Sequence, residues 1–419
     1  MTAPRRNGPV IVLCPHFAPD TAPTGVVMTR IVEEILRADA GVTDVRVVTS
    51  LPWYRRHAVE EGWSGRPWRT ERTTWGAITR VSPFAGRDKS NIPRRAVGFA
   101  AFSTLLGLRG MFAGGIHRRA HAVIAMSPPL TLGLTGWVVA KMRRAPLVFN
   151  IQDVFPDAAI ETGKMTNRRV IAVARWLERV SYRASDAVVV LSEDLQRNVA
   201  AKLHARDGGR VVVIPNFVDS AKITPLPADT PYRAEHAPSA RQVVMYAGNV
   251  GFSQSLELMV HAARSMPDVA FIVNGGGSSL AELRTSSAGL ANMVFVNYQP
   301  AERLSEVLAS ADVHVVPLRT GLGAVSVPSK AYSIMAAGRP ILASIDADSE
   351  VARIVGNVGC GAVVAPDDAD AFVAALRMLL DDSDRRAEMG ARGRDWVVEH
   401  ASPSAVGEAY AALIERLSR

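Results

Sequence analysis

The segment Val327-Pro328-Ser329-Lys330-Ala331-Tyr332-Ser333-Ile334 puts a lysine where cations are normally avoided. A helix beginning near Pro328 has Ser329 and Lys330 in its first turn, where the helix dipole repels positive charge. Lys330 is also the only lysine in residues 223–419, where every other Lys or Arg is arginine. An anion relieves such a cation, and a diphosphate would be held by the ammonium and the helix end together. A solvated surface lysine is the competing reading. Two glycine-rich turns suit the same chemistry. Met245-Tyr246-Ala247-Gly248-Asn249-Val250-Gly251-Phe252-Ser253-Gln254 leaves one apolar run, and Asn274-Gly275-Gly276-Gly277 leaves the next. Glycine lets backbone approach a phosphate closely, so Gly248, Gly251 and Gly276 are candidate contacts in a nucleotide cleft.

The first half offers a second set. The apolar run Leu147–Ile151 leads into Gln152-Asp153-Val154-Phe155-Pro156-Asp157. An acid at the carboxyl end of a parallel strand sits where ligands bind in doubly wound folds, and Asp153 could orient a hydroxyl or take its proton. Asp157 reads either as a second functional acid or as a helix N-cap. The turn Pro15–Gly25 precedes a helix from Val26, and Gly25 at its end could present backbone N–H groups to an anion. An ordinary strand–helix loop is the alternative there. A G-x-G-x-x-G dinucleotide fingerprint is absent from that turn.

These residues need strand ends to hold them. Short β-branched runs recur at Val10–Cys14, Val45–Ser50, Ala122–Ala125, Leu147–Ile151, Ala187–Leu191 and Val211–Ile214. A second series runs Val243–Ala247, Ala270–Asn274, Val294–Val296, Val313–Pro317, Pro340–Ala343 and Gly361–Val364. Such runs, alternating with helical patterns, are those of parallel strands buried on both faces. They predict an α/β protein of two six-stranded, doubly wound domains. The expected division is 1–215, a Pro- and Ala-rich linker at 216–240, a second domain at 241–395, and C-terminal helices at 396–419 that pack back toward the first domain.

The chain has 419 residues, 48% of them hydrophobic and 21% charged, which excludes intrinsic disorder. Its two cysteines, Cys14 and Cys360, exclude a disulfide framework or a cysteine-rich metal site. The polar N-terminus, with no apolar leader, is expected to keep the protein in the cytoplasm. Residues 1–215 carry 31 Lys and Arg against 17 Asp and Glu, a net +14, while the remainder carries 17 against 23, a net −6. From Lys89 to Gln152 nine basic residues meet no acid. The first half should therefore face an anionic partner. Ala96–Ile116 is apolar, flanked by Arg94 and Arg95 before and Arg118 and Arg119 after, and interrupted by Arg109. Its Phe102, Leu105, Leu106 and Leu108 can share one broad helix face. It reads either as a core helix of the first sheet or as a surface helix dipping into an anionic leaflet. Ser127-Pro128-Pro129 breaks Ala122–Ala140 into strand, turn and helix rather than a membrane span.

Together the Phe17–Gly25 loop, Gln152–Asp157, Ile214-Pro215-Asn216-Phe217-Val218-Asp219, Tyr246–Gly251 and Val327–Lys330 resemble the family 4 glycosyltransferases of the GT-B fold. The last two motifs resemble the branch that builds bacterial surface polysaccharides with aminosugars, of the fucosamine and colanic-acid type. The resemblance implies two Rossmann-like domains facing a central cleft, with donor phosphates on the second and the acceptor on the first. It implies transfer from a nucleotide diphosphate sugar, UDP-linked, with retention and without a metal or other cofactor. Asp153, Gln152 and Lys330 are the catalytic candidates under it. Gly25, Gly248, Asn249, Gly251, Gln254, Gly276, Ser329, Lys330 and Ser333 are the donor contacts.

Several positions depart from the family pattern. Asn249 and Gln254 stand where many members have Arg and Lys, which leaves the phosphate charge to Lys330. The usual glutamate pair falls at Val325 and Ser333. The usual histidine falls at Gln152, which can bond a hydroxyl but cannot act as acid or base. The expected setting is the inner face of the plasma membrane, with a lipid-linked or glycan acceptor and an anionic surface met through Arg94, Arg95, Arg118 and Arg119. A nucleotide-sugar 2-epimerase of the same fold and a non-catalytic sugar- or lipid-binding scaffold are the alternatives. Nucleic-acid binding is not expected, for the basic stretch has few aromatic residues placed for stacking.

Overall fold

The computed structural model describes residues 8–418 apart from 21, 39–41, 55–57, 64, 66, 84–91, 153, 158–159, 161–164 and 324–326, with backbone alone at 92–96 and 205–206. The chain divides into two compact units, Met1–Pro215 with Val406–Arg419, and Asn216–Ala405.

In the first unit the strands are β1 (Val10–Leu13), β2 (Val45–Ser50), β3 (Trp68–Thr73), β4 (Gly76–Val81), β5 (Ala122–Ser127), β6 (Leu147–Ile151), β7 (Ala187–Val190) and β8 (Val211–Val213). They form one sheet in the order β3-β4-β2-β1-β5-β6-β7-β8. All neighbours are parallel except β3 and β4. Helices α1 (Pro23–Arg37), α2 (Ile92–Phe112), α3 (Thr131–Arg143), α4 (Arg168–Ala184) and α5 (Glu193–Ala201) are the main helices between the strands. The sheet has eight strands rather than the expected six. The β3–β4 hairpin escapes an apolar-run reading because Trp68-Arg69-Thr70-Glu71-Arg72-Thr73 is an exposed edge strand with polar residues on both faces.

Helix α2 settles one open alternative. Phe102 and Leu106 are buried in the core formed with Leu13, Val139 and Phe149, with Leu105 packed against it. The face expected to be available to a leaflet is thus largely turned to the sheet, and Leu108 alone of the four is exposed. Helix α2 is a core helix whose opposite side remains apolar. Its C-terminal carbonyls are not left orphaned. The buried Arg143 of α3 donates to Gly110 O, Met111 O and Ala113 O, and to Arg118 O beyond the helix.

The second unit holds β9 (Gln242–Asn249), β10 (Val269–Gly276), β11 (Met293–Val296), β12 (Val313–Pro317), β13 (Ile341–Ser344) and β14 (Gly361–Val364) in the order β11-β10-β9-β12-β13-β14. Every pairing is parallel, so the chain reverses its direction of travel across the sheet between β9 and β12. Doubly wound sheets bind ligands at the strand carboxyl ends beside that switch point. The helices are α6 (Pro231–His236), α7 (Glu257–Ser265), α8 (Leu280–Ser286), α9 (Leu304–Ala309), α10 (Lys330–Ala336), α11 (Glu350–Val358), α12 (Ala369–Asp381) and α13 (Ser383–His400).

Residues 216–240 were expected to be linker, and they are packed structure of the second unit. Val218, Ile223, Tyr232 and Ala237 are buried in its cores. Arg394 of α13 donates to Ser220 O and Ile223 O. Those apolar residues follow no helix or strand period, so pattern alone does not reveal them. The final helix, α14 (Pro403–Ser418), passes into the first unit at Val406. There the buried Tyr410 hydroxyl accepts from Asn150 Nδ2 on β6, and Ser418 Oγ donates to His121 O.

Candidate active site

The β9 and β10 ends lie side by side, with Gly248 opposite Gly275 and Asn249 opposite Gly276. Gly275 has φ +152° and would place a Cβ 2.0 Å from Gly248 O, so no side chain is possible in this seam. Beyond it Val250 N donates to Gly276 O at 2.9 Å. The two glycine turns therefore form one backbone surface at the switch point. Asn249 is exposed at its rim. A Cβ on Gly251 would meet Asn249 Nδ2 at 3.0 Å and Gln254 Oε1 at 3.1 Å, so both side chains flank that residue. Gln254 Oε1 accepts from Gly251 N at 2.9 Å, and its amide donates to Ser253 Oγ. In this state Gln254 shapes the turn rather than reaching outward. Gly276 faces the exposed ring of Tyr298, whose hydroxyl donates to Gly276 O at 3.1 Å.

Lys330 crosses to the same surface from the start of α10. Its Nζ donates to the Tyr246 hydroxyl at 3.0 Å and stands 4.6 Å from the centre of the Tyr246 ring. Its Cε would lie 3.2 Å from a Cβ on Gly248, so the lysine stem lies against that glycine. Desolvation pulls the ammonium down to about 8 from its ordinary 10.5. The Tyr246 hydroxyl in turn donates to Asn249 O at 2.5 Å, and burial holds its pKa above the ordinary tyrosine value. Ser329 is exposed at the N-cap and makes no side-chain cap bond. Ser333 is half-buried one turn on. The structure brings Gly248, Asn249, Gly251, Gln254, Gly276 and Lys330 together. Val325, the other departure from the glutamate pair, lies outside the described residues.

In the first unit Gln152 follows β6 and donates to Asn150 Oδ1 at 2.7 Å, which links it through Asn150 to Tyr410. Asp153 lies outside the described residues. The Asp157 carboxylate accepts from Lys202 Nζ at 2.6 Å and Asn198 Nδ2 at 3.3 Å, so it belongs to a charged cluster. The same ammonium reaches Glu178, whose pKa burial raises despite that bond. Gly25 is buried in the first turn of α1, where a Cβ would sit 2.8 Å from His16 Cβ. Arg118 and Arg119 are exposed after α2, and the side chains of Arg94 and Arg95 lie outside the described residues.

Three features went unread in the sequence. Tyr246, inside the quoted glycine turn, is the partner of Lys330. His16 Nδ1 lies 2.7 Å from Asp20 Oδ2 after β1, and the imidazole stacks on Trp53 at 5.5 Å. Burial would raise the Asp20 pKa, but the His16 bond and charge and two backbone N–H groups lower it on balance. Finally, Asp346-Ala347-Asp348, Asp368-Ala369-Asp370 and Asp382-Ser383-Asp384 are Asp-x-Asp spacings that bear on the expectation of a metal-free site. Asp346 accepts from Gly321 N and Gly323 N, and Asp368 caps α12 through Ala371 N. Among the described residues no group of three or more His, Cys, Asp or Glu side chains is arranged to hold a metal ion.

The family model described as a glycosyl transferase 4-like domain matches residues 24–216, and that of the glycosyl transferases group 1 matches residues 230–396. The chain belongs to the family 4-type glycosyltransferases. It is 26% identical over 323 residues to the putative colanic acid biosynthesis glycosyl transferase WcaI of Escherichia coli, which covers 74% of this chain and 77% of that protein. It is 27% identical over 244 residues to the probable glycosyltransferase WbjE of Pseudomonas aeruginosa, covering 57% of this chain and 60% of that protein. Its fold matches sucrose-phosphate synthase from Thermosynechococcus elongatus with a TM-score of 0.73 at 17% identity, over 98% of this chain and 99% of that one. It matches HepE from Anabaena in complex with UDP with a TM-score of 0.66 at 13% identity, over 97% and 100%. The fold is GT-B, with two Rossmann-like halves. These likenesses favour a transferase over the epimerase alternative.

Proposed function

We propose that this glycosyltransferase moves a sugar from a UDP-linked donor, with retention, to a lipid-linked or glycan acceptor in cell-envelope polysaccharide synthesis at the inner membrane face. The observation that carries the donor reading is Lys330, a desolvated ammonium standing over a glycine surface at the switch point of the second sheet. A diphosphate there would meet the Lys330 ammonium, the Asn249 amide and backbone N–H groups fixed before the substrate arrives, which is electrostatic catalysis of leaving-group departure. The donor β-phosphate would take the acceptor proton as the sugar–phosphate bond breaks on the face where the new bond forms. Gln152 and Asp153 would position the acceptor hydroxyl and the sugar.

The name of the colanic acid relative and the UDP bound by a structural neighbour support the acceptor class and the nucleotide. Donor hydrolysis across UDP-, GDP- and ADP-sugars, with a membrane extract as acceptor source, tests the reading. Turnover should be fastest with a UDP-sugar and give a product of unchanged anomeric configuration. Preference for another nucleotide, or inversion, refutes that part. The reaction is proposed to need no divalent metal. Complete loss of activity in EDTA, restored by manganese, overturns this and directs attention to the Asp346 and Asp368 segments.

A further inference from the structure

Large apolar side chains at the surface of this molecule are concentrated on three helices. Helices α2, α3 and α4 have 21, 13 and 17 residues, yet hold nine of the nineteen exposed large hydrophobics among the described residues. Leu108 and Phe112 on α2 are 47% and 61% exposed, Trp137 and Met142 on α3 are 39% and 55%, and Val173 and Trp176 on α4 are 63% and 55%. The helices adjoin. Ser103 Oγ lies 2.6 Å from Thr131 Oγ1 between α2 and α3. A Cβ on Gly133 of α3 would lie 2.5 Å from Ser181 Cβ on α4, so those two helices touch almost backbone to side chain. The apolar residues thus sit on neighbouring ridges.

Charge frames this surface with one sign. Lys141, Arg169, Arg175, Arg179 and Arg183 are exposed on or beside the same helices. The three helices hold one acid, Glu178, which is 1% exposed and bonded to Lys202 and Tyr182. Not every basic residue of the region belongs to this frame, since Arg143 is buried and spent on the α2 carbonyls.

We propose that the outer faces of α2, α3 and α4 together dock on the headgroup–hydrocarbon boundary of an anionic bilayer. This deepens the reading of a membrane-borne acceptor and rests on it. An apolar surface with tryptophans, bordered by the arginines of α4 and by Lys141 of α3, and with no exposed acid on the three helices themselves, matches the two layers of that boundary. A second copy of this face would bring like charges together, which association avoids. A polyanion such as RNA would satisfy the arginines and leave Leu108, Phe112 and Met142 in water. Each basic residue at the surface adds about 1 kcal/mol, roughly fivefold in affinity, and salt removes that part alone. Insertion of the apolar side chains supplies the remainder.

The test is flotation of the full chain with vesicles of phosphatidylcholine, with and without phosphatidylglycerol. Binding should be at least about tenfold tighter to the mixed vesicles, and raising salt should weaken it without abolishing it. W137S/M142S/W176S should lose about tenfold or more, since all three side chains are surface residues whose burial would be forfeited. W137F/W176F should still bind but lose most of the tryptophan quenching by brominated acyl chains. The proposal is overturned by any of several results. These are no binding of the wild type to mixed vesicles, undiminished binding of the triple variant, unchanged quenching, or a wild-type dimer that the triple variant dissolves. Binding to transfer RNA without binding to vesicles overturns it equally. Donor hydrolysis in water, read on the same samples, separates the two readings. Intact hydrolysis with lost flotation supports docking, whereas absent hydrolysis in the wild type refutes the transferase reading and leaves the flotation result standing.

Discussion

The second unit sets one lysine against Tyr246 at the end of β9, whereas the first unit lines α4 with arginines in open water. Lys330 has lost part of its hydration, and its pKa falls to about 8 for that reason. The arginines of α4 stay exposed to water. A desolvated cation is a recognition group by itself, because an arriving anion replaces water it has already lost. Solvated cations act by number and are screened by salt. Net charge therefore misleads as a guide to the donor site. The half with net −6 holds Lys330, the proposed diphosphate partner, and the half with net +14 holds the exposed arginines of α4.

Removing each kind of cation in turn tests this contrast most directly. Lys330→Ala should lower kcat/KM for the nucleotide sugar by ~10–150-fold, the equivalent of one charge-assisted bond of ~1.5–3 kcal/mol. Circular dichroism and melting should stay near wild type, since the lysine supports no core. Arg169→Ser with Arg183→Ser should leave donor kinetics in water unchanged. Equal effects from the two substitutions would erase the comparison, and unchanged kinetics in Lys330→Ala would remove the phosphate assignment.

Proton binding gives a second, smaller measure of the same difference. The Lys330 ammonium is lost in the free enzyme above about 8, so kcat/KM for the donor should fall up to about tenfold per pH unit beyond that point. The sign for stability is opposite. Burial disfavours the charged form, so between about 8 and 10.5 the unfolded chain binds the proton more strongly, and stability should rise as pH rises through that window. Arginine stays protonated throughout, so Lys330→Arg should flatten the kinetic profile even where it lowers the rate. A profile that still breaks near 8 in that variant assigns the break to another group.

How far all this is legible in a single sequence depends on the range of the interaction. The twelve β-branched runs each appear as a strand because burial on both faces leaves a local apolar signature. The glycine turns and Lys330 are legible for a similar reason, being breaks in local preference that need an explanation. Tyr246 is not, because its contact with Lys330 spans 84 residues and only the sheet order brings them together. Residues 216–240 are misread because Val218, Ile223 and Tyr232 are buried without a period. Helix α2 is left open by its sequence between a core helix and a leaflet helix. Its apolar residues run almost all round, so pattern cannot tell that Phe102 and Leu106 face the sheet while Leu108 and Phe112 face water.

The smallest expected effect concerns the one hydroxyl that joins Lys330 to the glycine turn. Tyr246 accepts from the ammonium at 3.0 Å and donates to Asn249 O at 2.5 Å, so it fixes both the cation and the rim residue of the turn. Tyr246→Phe keeps the ring beneath the ammonium and removes only these two bonds. A net hydrogen bond is worth about 0.5–1.5 kcal/mol, so donor affinity should weaken by ~2–10-fold. Loss of the hydroxyl also leaves the ammonium with less solvation and should move the break in the kcat/KM profile to lower pH. A merely structural tyrosine would alter melting and leave that break in place. If Tyr246→Phe shifts neither affinity nor the pH profile, Lys330 does not depend on its neighbour, and its lowered pKa reflects burial by the glycine surface alone.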